Sequence, residues 1–216
     1  MLKRLALRIG LFKRARWPDL VFITVFVVSR LVYRGTYGIH FDASPLFYFI
    51  QYVDPWFLEH DFWRSILYVT HQAPLPNLVV GGAYLAFGPY WFATFFELVF
   101  AALGLLFGLA LLRVLERVGV TRFLATPLVC FFLSTPAAIL YENWLFYHLP
   151  VAVAFTLSVL ALFAYYRTGT LRGGLVFFSL LALVALIRNV YGAVWFAAVV
   201  AALLLAPPLV APRGTS

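Results

Sequence analysis

Apolar positions in this chain fall in long unbroken runs, not in the alternating or one-faced patterns of water-soluble strands and helices. Six runs, at roughly 19–38, 90–112, 123–140, 149–166, 173–187 and 190–208, are at or near the ~20 residues a helix needs to cross a hydrocarbon core. Segments apolar on every face cannot turn a polar side to water, so they predict helices solvated by lipid. A seventh run, Leu75 to Phe87, has 13 residues; at 1.5 Å per residue it reaches about 20 Å, short of a core of about 30 Å. It also contains Pro76, Asn77, Gly81 and Gly82, and is predicted to lie along the membrane instead of piercing it.

Charge placement favours the same topology. With the 75–87 run on one side and the N-terminus cytoplasmic, twelve cations lie inside: Lys3, Arg4, Arg8, Lys13, Arg14, Arg16, Arg113, Arg117, Arg122, Arg167, Arg172 and Arg213. Four lie outside: Arg30, Arg34, Arg64 and Arg188. If the run crossed, all later segments would invert and the count would become seven inside and nine outside. The positive-inside rule selects the first arrangement. No small-residue cleavage site follows the basic start, which predicts an uncleaved first span. Leu2, Leu5, Ile9 and Phe12 form one face of an interfacial helix on the anionic leaflet.

The expected architecture is therefore all-α: a polytopic transmembrane bundle of about six spans forming a single membrane module. A basic cytoplasmic segment (1–18) leads to the first span. An exoplasmic loop (39–89) precedes five further spans (90–208). In that loop Ser44-Pro45 and Asp54-Pro55 each set an N-cap residue before a proline at the first helical position. Two or three interfacial helices are predicted there, with Tyr48, Tyr52, Trp56, Trp63 and Tyr68 at headgroup level.

Composition narrows the class further. Hydrophobic residues make up 64% and charged residues 11% of 216, against about 25% charged in ordinary globular chains, which excludes a soluble globule and a disordered chain. Cys130 is the single cysteine, so no intrachain disulfide exists. A net charge of +8 would suggest nucleic acid in a soluble domain. Here the cations sit mostly in short inter-span segments and set topology, so no nucleic-acid partner is expected.

Chemistry-bearing residues concentrate on the outer side: His40, His60, His71 and His148, with Asp42, Asp54, Glu59, Asp61 and Glu142. Glu97 lies in the outer third of the second span. Asp42 is the first acid after the first span; it reads either as a general base in a cavity, taking a proton from a hydroxyl, or as a hydrated loop acid or helix cap. Arg30 and Arg34 share a helix face and suit either a phosphate or snorkelling to headgroups. Arg188 interrupts an apolar stretch, where a cation faces a polar cavity and invites an anionic ligand. His71 opens a polar knot, His71 to Asn77, and would orient a hydroxyl or phosphate if it is more than an interfacial histidine. Glu142 and Asn143 would bind sugar hydroxyls with Trp144 stacked on a ring face; the alternative is an aromatic belt with incidental polar residues. No histidine pair has a ligand spacing such as H-x3-H, so no cofactor is called for and a divalent metal has only weak support.

These elements together resemble the N-terminal module of the GT-C class of polytopic glycosyltransferases, which includes the protein O-mannosyltransferase, aminoarabinose-transferase and RgtA/B/C/D-like families. The resemblance runs from about Leu20 to Phe196. It rests on the basic start and first span, the exoplasmic His40-Phe41-Asp42, and the loop of amphipathic helices. It rests also on His71-Gln72-Ala73-Pro74-Leu75 before a short apolar helix ending Phe87-Gly88, and on a span closed by Arg113 to Arg117. Ala43 stands where the family often has the second acid of an Asp-Glu pair. The resemblance implies sugar transfer from a polyprenyl-phosphate donor to an exoplasmic hydroxyl of a lipid, glycan or protein. It implies Asp42 as the base, with Arg34, Arg64 and Arg188 candidates for the leaving phosphate. It also implies residence in a bacterial or archaeal plasma membrane, among membrane lipids. Such enzymes usually carry more spans and often a soluble C-terminal domain, so the chain is expected to be a truncated or minimal module, inactive alone. The alternative is a non-enzymatic lipid-binding, transport or assembly subunit.

Overall fold

The computed structural model describes residues 17–68, 73–188 and 192–205. Ten helices follow in chain order: α1 (Trp17–Tyr37), α2 (Pro45–Tyr48), α3 (Pro55–His60), α4 (Phe62–Tyr68), α5 (Pro74–Arg117), α6 (Arg122–Leu133), α7 (Pro136–Glu142), α8 (His148–Thr168), α9 (Leu171–Ile187) and α10 (Ala193–Leu205). No strand occurs among the described residues; a lone parallel bridge joins Asp42 to Trp144. The starts follow sequence rules. Proline opens α2, α3, α5 and α7, where the missing N–H has no helical acceptor to lose. Asp54 caps α3 by accepting the Trp56 N–H at 2.8 Å.

Helices α1, α5 and α8 are long and apolar enough to cross a membrane, so the chain has the helical make-up of an integral membrane protein. The expected 123–140 span is not straight: α6 and α7 meet at 67°, and together they supply a fourth crossing if the bent pair is one span. The reason is local, since Thr135 caps a new helix that Pro136 begins. The expected span at 173–187 appears as α9, apolar but 17 residues long. The run 190–208 is described only in part, as α10. The basic segment 1–16 and His71 lie outside the described residues.

The 75–87 and 90–112 runs are joined in α5, which breaks at Gly88 (φ 66°, ψ 172°) immediately before Pro89. That left-handed φ suits glycine, and proline cannot continue a helix ladder. The first half folds back on the second: Tyr84 meets Phe92 with ring centroids 5.7 Å apart, and Phe87 stacks on Phe95 at 4.5 Å. Leu75 and Val79 share a cavity wall with Val99 and Leu103. The second half runs antiparallel to α1, with Glu97 opposite Arg34 and Arg113 opposite Asp19. Gly88 therefore lies beyond the C-terminal end of α1.

The start of the run is held at that same end. Asn77 Oδ1 accepts the Val53 N–H at 2.8 Å, and its Nδ2 donates to the Gln51 carbonyl at 3.0 Å. The Tyr52 hydroxyl, whose pKa burial pushes up, donates to the Leu145 carbonyl at 3.1 Å. Leu145 in turn donates to the Asp42 carbonyl at 2.9 Å. The run is thereby tied to the loop after α1 and to the turn after α7. It differs from the expected free interfacial helix in being one arm of a hairpin, covered by α3 and α4. Gly81 admits Leu58 and Phe62 from those helices, at 2.7 and 2.9 Å from where a Cβ would stand.

Small residues also set the approach of α1 to α5. A Cβ on Gly108 would collide with Phe22 and Leu133, and one on Gly104 with the Glu142 carboxylate. Spacing of four puts both glycines on one face, where the missing side chains leave room for the Phe22 and Phe26 rings of α1 and for Leu133 and Glu142. At the far end Arg113 donates to Asp19 at 2.8 Å, both side chains buried, and Glu116 bridges to Arg122 at 2.8 Å.

Two measurements test this arrangement. In a Cys130→Ala background, Val118→Cys and His40→Cys should react from opposite sides of a membrane. An impermeant thiol reagent on intact cells should label position 40 and spare 118 until the cells are permeabilised. Equal labelling of the two overturns the topology. Gly108→Val should lower unfolding stability by roughly 1–3 kcal/mol, the range for overpacking, whereas the same change at Gly82, which has open space around its Cβ position, should cost less in a thermal-shift assay.

Candidate functional site

The site is built on an ion pair between distant helices. Arg30, near the end of α1, donates through Nε to Glu142 Oε1 at 2.9 Å and through a terminal nitrogen to Oε2 at 2.5 Å. Its other terminal nitrogen donates to the Leu133 carbonyl at 3.0 Å and to Ser29 Oγ at 2.9 Å. The guanidinium also lies 3.6 Å from the Phe26 ring centroid. Side-chain exposure is 15% for Arg30 and 6% for Glu142. The fork geometry suits a carboxylate, and charges this far from water persist only when paired and further hydrogen-bonded. Gly104 supplies the space that Glu142 fills.

This pair fixes the residue that follows. Asn143 caps α7 through its backbone N–H and donates its Nδ2 to the Ile139 carbonyl at 2.9 Å. Its own carbonyl accepts the Asp42 N–H at 2.7 Å. The loop after α1 and the turn after α7 are therefore laced together, and Asp42 is held by its backbone on both sides.

The Asp42 carboxylate is exposed. Oδ1 accepts from the Ser44 N–H at 2.9 Å and the Ser44 hydroxyl at 2.5 Å, which fixes the turn leading into the short α2. Oδ2 accepts no hydrogen bond among the described residues. One carboxylate oxygen thus serves the local fold, and the other is open to a ligand among the described residues. The side chain lines a cavity of about 420 Å³ with His40, Tyr141, Asn143 and Trp144.

A second cavity, about 170 Å³, lies on the other flank of the same segment. Its walls are apolar, from Leu75, Phe96, Phe100, Phe146, Tyr147 and Ile187 among others. Arg188 follows directly, its guanidinium 5.0 Å from the Tyr147 ring centroid. Between the cavities the aromatic rings are continuous: Trp144 stacks on Phe146 at 4.7 Å, and Phe146 meets Tyr147 at 4.1 Å and His148 at 4.7 Å.

Of the residues singled out from sequence, Asp42, Asn143 and Trp144 come together. Glu142 is adjacent, with its carboxylate gripped by Arg30. Arg188 lies beside Tyr147 and follows Ile187, two residues that line the second cavity. Arg34 pairs with Glu97, so the two arginines of α1 each meet a carboxylate and do not converge on one anion site. Arg64 is 78% exposed, 3.7 Å from Asp61, and lines neither cavity. His71 is outside the described residues. No group of three or more His, Cys, Asp or Glu is placed to hold a metal among the described residues. Sequence reasoning missed the Arg30–Glu142 pairing, although two opposite charges at the ends of apolar segments are a signal that they meet.

Comparison with protein-family models, curated proteins and solved structures finds no match to this chain.

A double-mutant cycle tests the pair. Arg30→Met or Glu142→Leu alone should destabilise by about 3–5 kcal/mol, because a buried charge is left uncompensated, and the double variant should recover much of that loss. Additive losses in chemical denaturation would show that the two side chains do not depend on each other.

Proposed function

We propose that the chain is the donor-binding module of a membrane glycosyltransferase of the GT-C type, acting on a polyprenyl-phosphate sugar. One observation carries this reading. A single segment, Tyr141 to His148, walls a cavity of mixed lining with an available carboxylate oxygen on one flank, and on the other an apolar cavity whose wall residue Tyr147 lies beside the Arg188 guanidinium. A lipid-linked sugar has that same division: a polar ring, a phosphate and an apolar tail.

In this reading the sugar lies beside Trp144 and Asn143, the tail enters the apolar cavity, and Arg188 meets the phosphate. The acceptor hydroxyl oxygen attacks the anomeric carbon while Oδ2 of Asp42 takes its proton. The anomeric carbon–oxygen bond breaks, and polyprenyl phosphate leaves with the bonding pair. One displacement with one base inverts the anomeric centre. Charge develops mainly on the departing phosphate, so the cation contributes the larger electrostatic share in a dry site.

Asp42→Asn tests the base. The amide oxygen can still accept from Ser44, so the turn survives. Sugar transfer by the assembled enzyme, assayed with several polyprenyl-linked donors, should fall by about 10²–10⁴-fold, the usual contribution of a general base. Retention of polyprenyl phosphate in native mass spectra should stay unchanged. Full turnover by the variant would remove Asp42 from the chemistry. Lipid retention with no transfer from any donor would favour a lipid-binding or assembly subunit.

A further inference from the structure

A third cavity, about 220 Å³, opens between α1 and α5 and shares Ile39 and Asn143 with the wall of the Asp42 cavity. Its inner wall is the Arg30–Glu142 pair with Asn143; its outer wall is Arg34 and Glu97. The two pairs differ in solvation. The inner side chains are 15% and 6% exposed, the outer ones 54% and 28%. The inner pair is a fixed part of the bundle, while an exposed pair contributes little stability and is readily shared with a ligand. Only one terminal nitrogen of Arg34 and one oxygen of Glu97 are engaged between them. The remaining guanidinium N–H groups and Glu97 Oε2 are therefore open to a ligand among the described residues.

The mouth of this cavity is apolar. Leu31 of α1 and Leu98 of α5 line it and are 63% and 68% exposed. Both helices qualify as membrane spans, so these leucines face hydrocarbon. Arg34 lies one turn from the end of α1, where Tyr33 and Tyr37 pack with centroids 5.3 Å apart. Aromatic pairs at a span terminus mark the headgroup level. A ligand entering here brings a polar head and an apolar body. The volume is below the ~300–1,000 Å³ of pockets that enclose whole ligands, which suits a headgroup whose chains remain in the bilayer.

Charge decides which headgroup. Two guanidinium groups and two carboxylates sum to zero. A net anion would leave one negative charge uncompensated beside the hydrocarbon-facing Leu31 and Leu98, and a net cation would leave one positive charge. A zwitterion leaves none: its phosphate takes the spare N–H groups of Arg34 and its ammonium donates to Glu97. We propose that this window binds a zwitterionic phospholipid with a primary ammonium, of the phosphoethanolamine class. A quaternary ammonium has no N–H for Glu97 and binds less well. The site is independent of the transfer reaction and stands whether or not Asp42 is a base.

The test uses the full chain, delipidated in detergent and titrated with phosphatidylethanolamine, phosphatidylcholine and phosphatidylglycerol of matched chains, with bound lipid read by native mass spectrometry. Phosphatidylethanolamine should be retained about tenfold over either of the others, the size of one charge-assisted hydrogen bond. Glu97→Gln should abolish that preference and raise phosphatidylglycerol binding, since the site then carries a net positive charge. Arg34→Gln should weaken retention of phosphatidylethanolamine. Unchanged far-ultraviolet circular dichroism and melting serve as the folding control; Gly82→Ala, remote from the window, should keep wild-type selectivity. Equal retention of the three lipids, a wild-type preference for phosphatidylglycerol, or intact selectivity in Glu97→Gln overturns the proposal. Binding of free glycerophosphoethanolamine as tight as that of the lipid overturns its membrane source.

Discussion

A charge removed from water must find its opposite, and that requirement organises this bundle. Arg30 with Glu142 and Arg113 with Asp19 are buried pairs set near the two ends of α1. Between them α1 is bound to α5 and to the α6–α7 elbow at fixed height and rotation. Neither pair is strong evidence for high stability, because desolvation offsets much of the attraction. Their effect is on register. Sliding α1 by one turn would separate both pairs at once. Gly104 and Gly108 make this possible by removing the side chains that would hold the helices apart.

The apolar runs located the helices well because lipid-facing segments carry their signal in composition alone. The boundaries of α1 and α8 fall within two residues of the runs that predict them. Breaks were less legible. Gly88-Pro89 marks a break by chemistry, but whether the two arms separate or fold together depends on contacts such as Tyr84 with Phe92. The bend at Ser134–Thr135 was missed because the 123–140 run is apolar throughout, and hydropathy averages over a cap followed by proline. Positive-inside counting predicts that the 75–87 run stays on one side of the membrane; in the structure the bonds of Asn77 tie the start of the run to Gln51 and Val53 of the preceding loop.

The site was legible by residue type and illegible by pairing. Asp42 stood out as an acid at the mouth of a span, and Tyr141–His148 as a polar break in apolar sequence. That they touch depends on a bridge spanning about a hundred residues, made of backbone groups that carry no side-chain signature. Arginine gave the poorest guidance. Arg30, Arg34, Arg64 and Arg188 read alike in sequence, yet one is in a buried fork, one in a half-exposed pair, one in solvent and one over an aromatic ring. Periodicity puts Arg30 and Arg34 on one face, but cannot say which carboxylates that face will meet.

The separation of roles between these arginines bears on how such a site could work. A cation already bound in a fork to a buried carboxylate gains little from an additional phosphate, because its donors are committed and its charge is neutralised. Arg30 is therefore a positioning group: it orders Glu142, which orders Asn143, whose carbonyl holds the Asp42 backbone. Preorganisation of this kind places its energetic demand on folding and not on the moment of reaction, which is why catalytic groups gain from rigid supports. The buried pair, the backbone bridge and the available Oδ2 form one chain of dependence. A change at Arg30 should therefore be felt at Asp42, although Arg30 itself does not line the Asp42 cavity.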